Sequence, residues 1–254
     1  MLASLLPLLP LGLLAGLLSG LLGIGGGLVF SPLLLFLGFE PHQALATSTL
    51  AIVPTTLGGT WSHLRSRSLP RRPSLAIGLG AGSGGLIFGH LGVFWSGATL
   101  LALQAGMYGL LTLVLRRRSA EGSAEAAPLD EPLPALFGVG LVAGMATGLL
   151  GLGGGLVMVP LMVSWLQQPV RLAIRLSTLA VLVSSCVAAP VFLSDGRGVA
   201  LVAAVLGGTA AIAARWAASR LNRVPEDALV WMLRGLTALL AFDSGRRAFA
   251  LALS

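Results

Sequence analysis

The chain has 254 residues, of which 56% are hydrophobic and only 10% charged, and its mean hydropathy is +0.92. A soluble domain carries about a quarter charged residues, so this composition excludes a water-soluble protein and indicates an integral membrane protein. The net charge of +7 does not indicate nucleic-acid binding, because every basic residue is an arginine and most lie in short clusters between apolar runs, as in cytoplasmic loops.

Five hydrophobic segments occupy the first half of the chain. They are predicted at 2–22, 28–38, 43–61, 74–90 and 94–115. The second has about ten residues, and a helix of that length cannot cross ~30 Å of hydrocarbon. Because a glycine cluster precedes it, we predict a broken or re-entrant helix, which is tolerated only where it is buried in protein or lines an aqueous cavity.

A polar segment, 116–134, separates this half from the next and contains three arginines, four acids and three prolines. We therefore predict a first transmembrane repeat at 1–115, a linker at 116–134 and a second repeat at 135–254. The second repeat has hydrophobic segments at 135–150, 156–166, 172–193, 198–214 and 226–243.

The two halves share one duplicated motif. Residues 12–32 read GLLAGLLSGLLGIGGGLVFSP and residues 140–160 read GLVAGMATGLLGLGGGLVMVP, an offset of 128 residues (140 minus 12). A Ser-Thr-Leu-Ala stretch recurs at 48–51 and 177–180, with a slip of one residue. The predicted fold is an all-α polytopic membrane protein built from two homologous repeats of four to five segments, each with a glycine-rich helix break.

The arginines favour an inverted arrangement of the two repeats. If each glycine cluster turns the chain back, twelve arginines lie in loops on one side of the membrane and three on the other. If the cluster only kinks one helix, the division is ten to five. The positive-inside rule favours the first alternative, and the second stays open.

Two kinds of glycine pattern have different consequences. Small residues at intervals of four form one face of a helix and allow close helix packing in lipid; they are Gly12, Gly16 and Gly20, and Gly140, Gly144 and Gly148. The clusters 23–27 and 151–155 instead disfavour the helix, since each glycine destabilises a helix by roughly 1 kcal/mol.

These clusters are either a tight crossing point or an unwound segment whose free amides and following helix start face an anion. Broken helices at corresponding places in two repeats are typical of transporter sites. Nucleotide-binding motifs are excluded, because no Lys-Ser/Thr pair and no strand–turn–helix unit accompanies the glycines.

Hydroxyl residues open the next segment of each repeat: Thr47, Ser48, Thr49, Ser177 and Thr178. They either bond back to their own helix or donate to an anion. Weaker candidates are Thr55, Thr56, Ser184 and Ser185. The ionisable residues near predicted segments are His63, His90, Glu40, Asp195 and Asp243. We expect all five at segment ends, where interfacial placement costs little.

One enzymatic alternative is an intramembrane serine hydrolase that uses Ser83. His90 is seven residues away, about 10 Å along a helix, which is too far for direct proton transfer. Recruitment of His63 from a neighbouring helix keeps this alternative open. A third alternative is a non-transporting membrane scaffold.

The paired motif G-(I/L)-G-G-G-L-V-x-x-P, followed by S-T-L-A, resembles the sulfite exporter TauE/SafE family, also called TSUP. The stretch T-S-T-L-A-I-V-P-T-T-L-G-G-T-W-S-H-L-R at 47–65 is similar to the family pattern. The resemblance covers essentially the whole chain and implies a bacterial inner-membrane transporter of seven to nine helices that moves sulfite, sulfonates or related anions. Arg175-Leu176 departs from the first repeat, where Ala46-Thr47 precedes the serine.

We therefore expect a secondary transporter, not an enzyme, that exports a sulfur-containing anion by alternating access. We expect neither cofactor nor metal, and the single cysteine, Cys186, excludes a disulfide within the chain. A coupling proton or ion and a homodimer are left open. The predicted substrate-binding residues are Gly25, Gly26, Gly27, Thr47, Ser48, Thr49, Gly153, Gly154, Gly155, Arg175, Ser177 and Thr178.

Overall fold

The computed structural model describes residues 8–118, 133–196 and 198–253, and the regular structure within these ranges is helical. The first repeat contains α1 (Leu8–Leu22), α2 (Gly27–Phe36), α3 (Pro41–Arg65), α4 (Arg71–Leu91) and α5 (Gly97–Arg118). The second contains α6 (Leu133–Leu150), α7 (Gly155–Ser164), α8 (Val170–Ser194), α9 (Ala200–Ser219) and α10 (Glu226–Leu253). Short 3₁₀ turns, Gly92–Phe94 and Leu221–Arg223, follow α4 and α9.

Each predicted hydrophobic segment corresponds to one of these helices, so the all-α class is confirmed. Within the described ranges, α4, α6, α8 and α9 are long and apolar enough to cross a membrane. The half-length helices are predicted correctly too, since α2 and α7 have ten residues each. Both ends of the predicted linker are helical, because α5 continues to Arg118 and α6 begins at Leu133. Residues 2–7 and 119–132 lie outside the described residues.

The outer surface of the bundle is apolar. Leu79, Ile212 and Phe242 are 65%, 72% and 76% exposed, although a soluble protein would bury most side chains of this kind. A continuous core lies inside the bundle and includes Ile24 and Leu152, which are both fully buried. The exposed aliphatic and aromatic side chains are therefore placed to face lipid acyl chains.

The glycine ladders pack helices closely, as predicted, and these contacts join the two repeats. A methyl group added at Gly16 would collide with the backbone of Ala210, so α1 lies directly on α9. In the same way, a methyl group at Gly144 would collide with the carbonyl of Ala81, which places α6 on α4. The first helix of each repeat therefore packs on the fourth helix of the other repeat.

The repeat-related helices α3 and α8 run in opposite directions. Ala46, near the start of α3, clusters with Phe192, near the end of α8. The reverse pairing holds at the other end, where a methyl group at Gly59 would lie 3.0 Å from Thr178 Cγ2. Early residues of one helix therefore face late residues of the other.

Both glycine clusters reverse the chain direction. Helices α1 and α3 each run alongside α9 in its own direction. Gly12 and Gly16 of α1 meet Leu206 and Ala210 in that order, and Ala51 and Gly58 of α3 meet Gly207 and Ala211. Because α2 connects α1 and α3, it runs back against both. The reversal depends on left-handed backbone, with φ of +68°, +79° and +83° at Gly23, Gly25 and Gly26, a conformation that other residues rarely adopt. Residues 151–154 repeat the pattern.

The ladder can be tested with two glycines of α6. A methyl group at Gly140 would collide with the carbonyl of Ile77 and lie 3.0 Å from the Ala81 nitrogen, whereas nothing lies within 4 Å at Gly138. We expect Gly140→Ala to destabilise the protein by about 1–3 kcal/mol, since backbone cannot yield as a side chain does. Gly138→Ala should be neutral or stabilising, because alanine is the better helix former. Thermal unfolding in detergent measures both, and equal midpoints would contradict this packing.

Candidate functional site

The two glycine breaks meet at the centre of the molecule. A methyl group at Gly27 would lie 2.7 Å from the carbonyl oxygen of Gly151, and one at Gly153 would lie 2.8 Å from the carbonyl oxygen of Ile24. Residues 22–28 and 149–157 are all buried. Backbone therefore contacts backbone where the two glycine breaks meet, in a space that admits no side chain. We call this contact the crossing point.

Two serines, one from each repeat, join the two glycine breaks by hydrogen bonds. Ser48 Oγ on α3 donates a hydrogen bond to the carbonyl oxygen of Gly151 at 2.9 Å. Ser177 Oγ on α8 donates to the carbonyl oxygen of Gly23 at 2.6 Å. Both serines are fully buried. Each repeat thus satisfies a carbonyl of the opposite break, where no water competes for it.

The remaining predicted hydroxyls form hydrogen bonds other than those that join the two breaks. Thr49 and Thr178 donate to carbonyls four residues earlier in their own helices, at 3.0 and 2.8 Å. Thr47 Oγ1 accepts a hydrogen bond at 3.0 Å from the backbone N–H of Val199, beyond the end of α8. The weaker candidates Thr55, Thr56, Ser184 and Ser185 also donate to carbonyls of their own helices.

A cavity of about 660 Å³ opens beside Arg175, at one end of the bundle. Its wall comes from the last turns of α3 and α9, the second turn of α8 and the 3₁₀ turn after α9. The lining residues include Trp61, His63, Arg65, Arg175, Arg215 and Asn222. The lining residues that the structure describes include three arginines and neither aspartate nor glutamate. Arg175 Nη2 donates to Asn222 Oδ1 at 2.7 Å. This basic cavity is suited to an anion.

His63 lies buried in the wall of the basic cavity. It is 3% exposed, and its Nε2 has no hydrogen-bond partner among the described residues. Thr60, one turn deeper on α3, is 1% exposed, and its Oγ1 is also without a partner there. Thr56, Thr60 and His63 follow the spacing i, i+4, i+7 of one helix face. Thr56 Cγ2 would lie 3.4 Å from a methyl group at Gly25, so this polar stripe connects the basic cavity with the crossing point.

The second repeat keeps only the innermost hydroxyl of this polar stripe, at Ser185. The serine pair gives an offset of 129 residues (177 minus 48), so Thr60 and His63 correspond to Ala189 and Phe192. Phe192 packs with Ala46 and Ala188. The repeat-related positions at the opposite end of α3 and α8 are therefore apolar and closed.

The structure brings together only part of the predicted set. Gly25–Gly27, Gly153–Gly155, Ser48 and Ser177 gather at the crossing point, while Arg175 lies in the basic cavity. His63 lies in the last turn of α3, at the segment end where we expect it, and its side chain is buried among its neighbours. Three residues of the cavity wall were missed in the sequence analysis: Arg65, Arg215 and Asn222. The two arginines lie in predicted loops, where arginines are also topology signals. The spacing of Thr56, Thr60 and His63 was a signal that sequence analysis could have used.

Of the residues of the hydrolase alternative, His63 lies in the basic cavity, whereas Ser83 and His90 lie apart from it. Ser83 is exposed on α4, and His90 Nδ1 bonds the carbonyl oxygen of Leu86 at 2.9 Å. Among the hydrogen bonds of the described residues, none joins Ser83 to a histidine.

Comparison with known proteins gives one family. The family described as "Sulfite exporter TauE/SafE" matches residues 8–243. The probable membrane transporter protein YunE of Bacillus subtilis (strain 168) is 27% identical over 203 residues, covering 70% of this chain and 74% of YunE. A probable membrane transporter protein of Xylella fastidiosa (strain 9a5c) is 29% identical over 178 residues, with 67% of each chain covered. Sulfite exporter TauE/SafE family protein 3 of Arabidopsis thaliana is 49% identical over 41 residues, which is 16% of this chain and 9% of that protein. No solved structure matches the chain.

The serine contacts at the crossing point predict a loss of stability on truncation. Ser48→Ala or Ser177→Ala leaves a buried carbonyl without its donor, which costs about 1–3 kcal/mol. The exposed Ser83→Ala serves as the matched control. Thermal unfolding in detergent measures the difference. If all three variants unfold at the wild-type temperature, the serines do not hold the breaks together.

Proposed function

The chain belongs to the sulfite exporter TauE/SafE family and is a membrane transporter, and we propose that it exports a small sulfur-containing anion, such as sulfite or an organosulfonate. The single observation that carries the proposal is the basic cavity at one end of the bundle. Its arginines attract anions, and no described lining residue carries a negative charge. The proposed location is the bacterial inner membrane.

We place the substrate pathway at the crossing point of the glycine breaks. The proposed substrate-binding residues are Gly25, Gly26, Gly27, Thr47, Ser48, Thr49, Gly153, Gly154, Gly155, Arg175, Ser177 and Thr178. The hydroxyls of Ser48 and Ser177 are engaged with carbonyls in the present conformation. When the breaks separate, these hydroxyls and nearby backbone amides become free to replace part of the hydration shell of an anion.

The proposed mechanism is alternating access between two inverted repeats, 1–115 and 135–254. The opposite directions of α3 and α8 support this inversion. The ladder contacts favour two moving groups, in which α1, α2 and α3 travel with α9, and α6, α7 and α8 travel with α4. Backbone contact within each group resists sliding, so movement concentrates at the crossing point between the groups.

The positions of the arginines support the proposal that the basic cavity faces the cytoplasm in this conformation. Arg65, Arg175 and Arg215 lie at one end of the bundle, and the positive-inside rule makes that end cytoplasmic. The basic cavity then faces the cytoplasm, where an exporter collects its substrate. The opposite end is closed by Phe192 and its neighbours. Because the sequence contains no Walker A motif, we expect an ion gradient or the anion gradient itself to drive transport.

Flux through proteoliposomes tests the proposal. Vesicles loaded with sulfite and containing the wild-type protein should release it faster than protein-free vesicles, with saturation at high concentration. Ser48→Val removes a donor to a charged substrate and adds bulk at the crossing point, so we expect flux to fall about tenfold or more.

Gly106→Val is the matched bulk control, since nothing lies within 4 Å of a methyl group there, and it should keep wild-type flux. Wild-type flux in well-folded Ser48→Val protein would show that the crossing point is not part of the substrate pathway. If efflux of both sulfite and an organosulfonate equals that of protein-free vesicles, neither anion is a substrate of the protein.

A further inference from the structure

We propose that the inner end of the basic cavity is an oxyanion-binding site, in which Arg175 and His63 hold the charged head group before it enters the crossing point. The inference rests on the proposed function for the identity of the ligand, whereas the site itself rests on the side chains of the wall. It adds a binding position distinct from the glycine breaks, about one helical turn outward from Gly59 and Thr178 on α3 and α8.

The charge of Arg175 is available to a ligand. Its one hydrogen bond within the described residues goes to the neutral amide oxygen of Asn222, and no carboxylate there forms an ion pair with it. A guanidinium has five N–H donors in a fixed fork, so several remain for a second acceptor. Arg65 and Arg215 add positive charge at the mouth. An oxyanion is the ligand that a forked cation binds best.

His63 supplies the second, independent observation. A buried polar atom without a hydrogen bond has lost its hydration without compensation, and such atoms in native structures call for a partner. His63 is 97% buried in the wall, and its Nε2 lacks such a partner in the part of the chain that the structure describes. With the proton on Nε2, this nitrogen donates to an acceptor. An anion oxygen that enters from the Arg175 side satisfies both residues together.

The polar stripe continues inward from this site. Thr60 Oγ1 is a further buried atom without a partner among the described residues, one turn from His63 on the same face of α3. Beyond it, Thr56 lies beside Gly25. An anion that leaves Arg175 and His63 therefore meets hydroxyl groups on the way to the crossing point. The corresponding positions of the second repeat, Ala189 and Phe192, offer no such groups.

The chemistry of the site selects the head group and leaves room beside it. The cavity volume of about 660 Å³ falls in the ~300–1,000 Å³ range of sites for organic ligands. It therefore accepts either an inorganic oxyanion with part of its hydration shell or an oxyanion with an organic group. Both sources share oxygen acceptors that Arg175 and His63 recognise, and chloride does not offer them in the same geometry.

Tryptophan fluorescence gives a local readout of occupancy, because Trp61 and Trp216 line the cavity. Purified full-length protein in detergent is titrated separately with sulfite, 2-hydroxyethanesulfonate and chloride at constant ionic strength. We expect a saturable change with at least one oxyanion, and the ratio of the two affinities identifies the preferred source. Chloride with equal affinity would overturn the assignment to oxyanions.

Variants locate the site. His63→Phe takes the residue that the second repeat has at this position, and Arg175→Gln removes the charge. Each should weaken oxyanion binding about tenfold or more, the effect of losing one charge-assisted hydrogen bond. His63→Gln keeps an N–H donor and should bind better than His63→Phe, which a purely structural role does not predict. The exposed His90→Phe and Arg72→Gln are the matched controls and should bind as the wild type does.

Binding and flux together separate this inference from the proposed function. If His63→Phe and Arg175→Gln bind oxyanions as tightly as the wild type while the wild type transports, the inference is wrong and the proposed function stands. If the wild type binds saturably, both variants lose binding and no flux occurs, the site stands and the proposed function is wrong. Misfolded variants are recognised by thermal unfolding, and the comparison of His63→Gln with His63→Phe then decides.

Discussion

The contact between the two glycine breaks is the constraint on which the rest of the structure depends. Two chain reversals inside a membrane protein expose backbone groups that lipid cannot satisfy. Here each break is covered by the other, and Ser48 and Ser177 donate to the carbonyls of Gly151 and Gly23 across the contact. Glycine is required because a methyl group at Gly23, Gly27, Gly151 or Gly153 would enter neighbouring backbone, and one at Gly25 or Gly26 would collide with a packed side chain.

This contact also explains why a repeated sequence gives a protein with unlike ends. The backbone follows the same course in both repeats, but the side chains that flank the crossing point differ. On one side Thr60 and His63 lead out to arginines. On the other side Ala189 and Phe192 take their places, and Phe192 packs on Ala46. The similar backbones make an exchange between two conformations feasible, whereas the side chains decide which end attracts an anion.

Much of the fold could be predicted from the sequence because its signals are local. The ten apolar segments, the half-length helices and the ladder faces all depend on spacing within one helix, and Gly16 and Gly144 pack as that spacing indicates. The basic cavity could not be predicted in the same way. It forms where the end of α3, the start of α8 and the turn after α9 converge, and such convergence depends on the direction of each helix. Arg65 and Arg215 therefore looked like loop charges, and Thr47 gave no sign of its bond to Val199.

The central claim is that the protein opens and closes around the crossing point, and paired spin labels measure this most directly. In a Cys186→Ser background, cysteines replace Ser66 and Gln168 at the cavity end, or Glu40 and Asp195 at the opposite end. Saturating sulfite, or the organosulfonate that proves to be transported, should shorten the first distance and lengthen the second in the same population of molecules. Unchanged distances at both ends in protein that transports the anion would contradict the account.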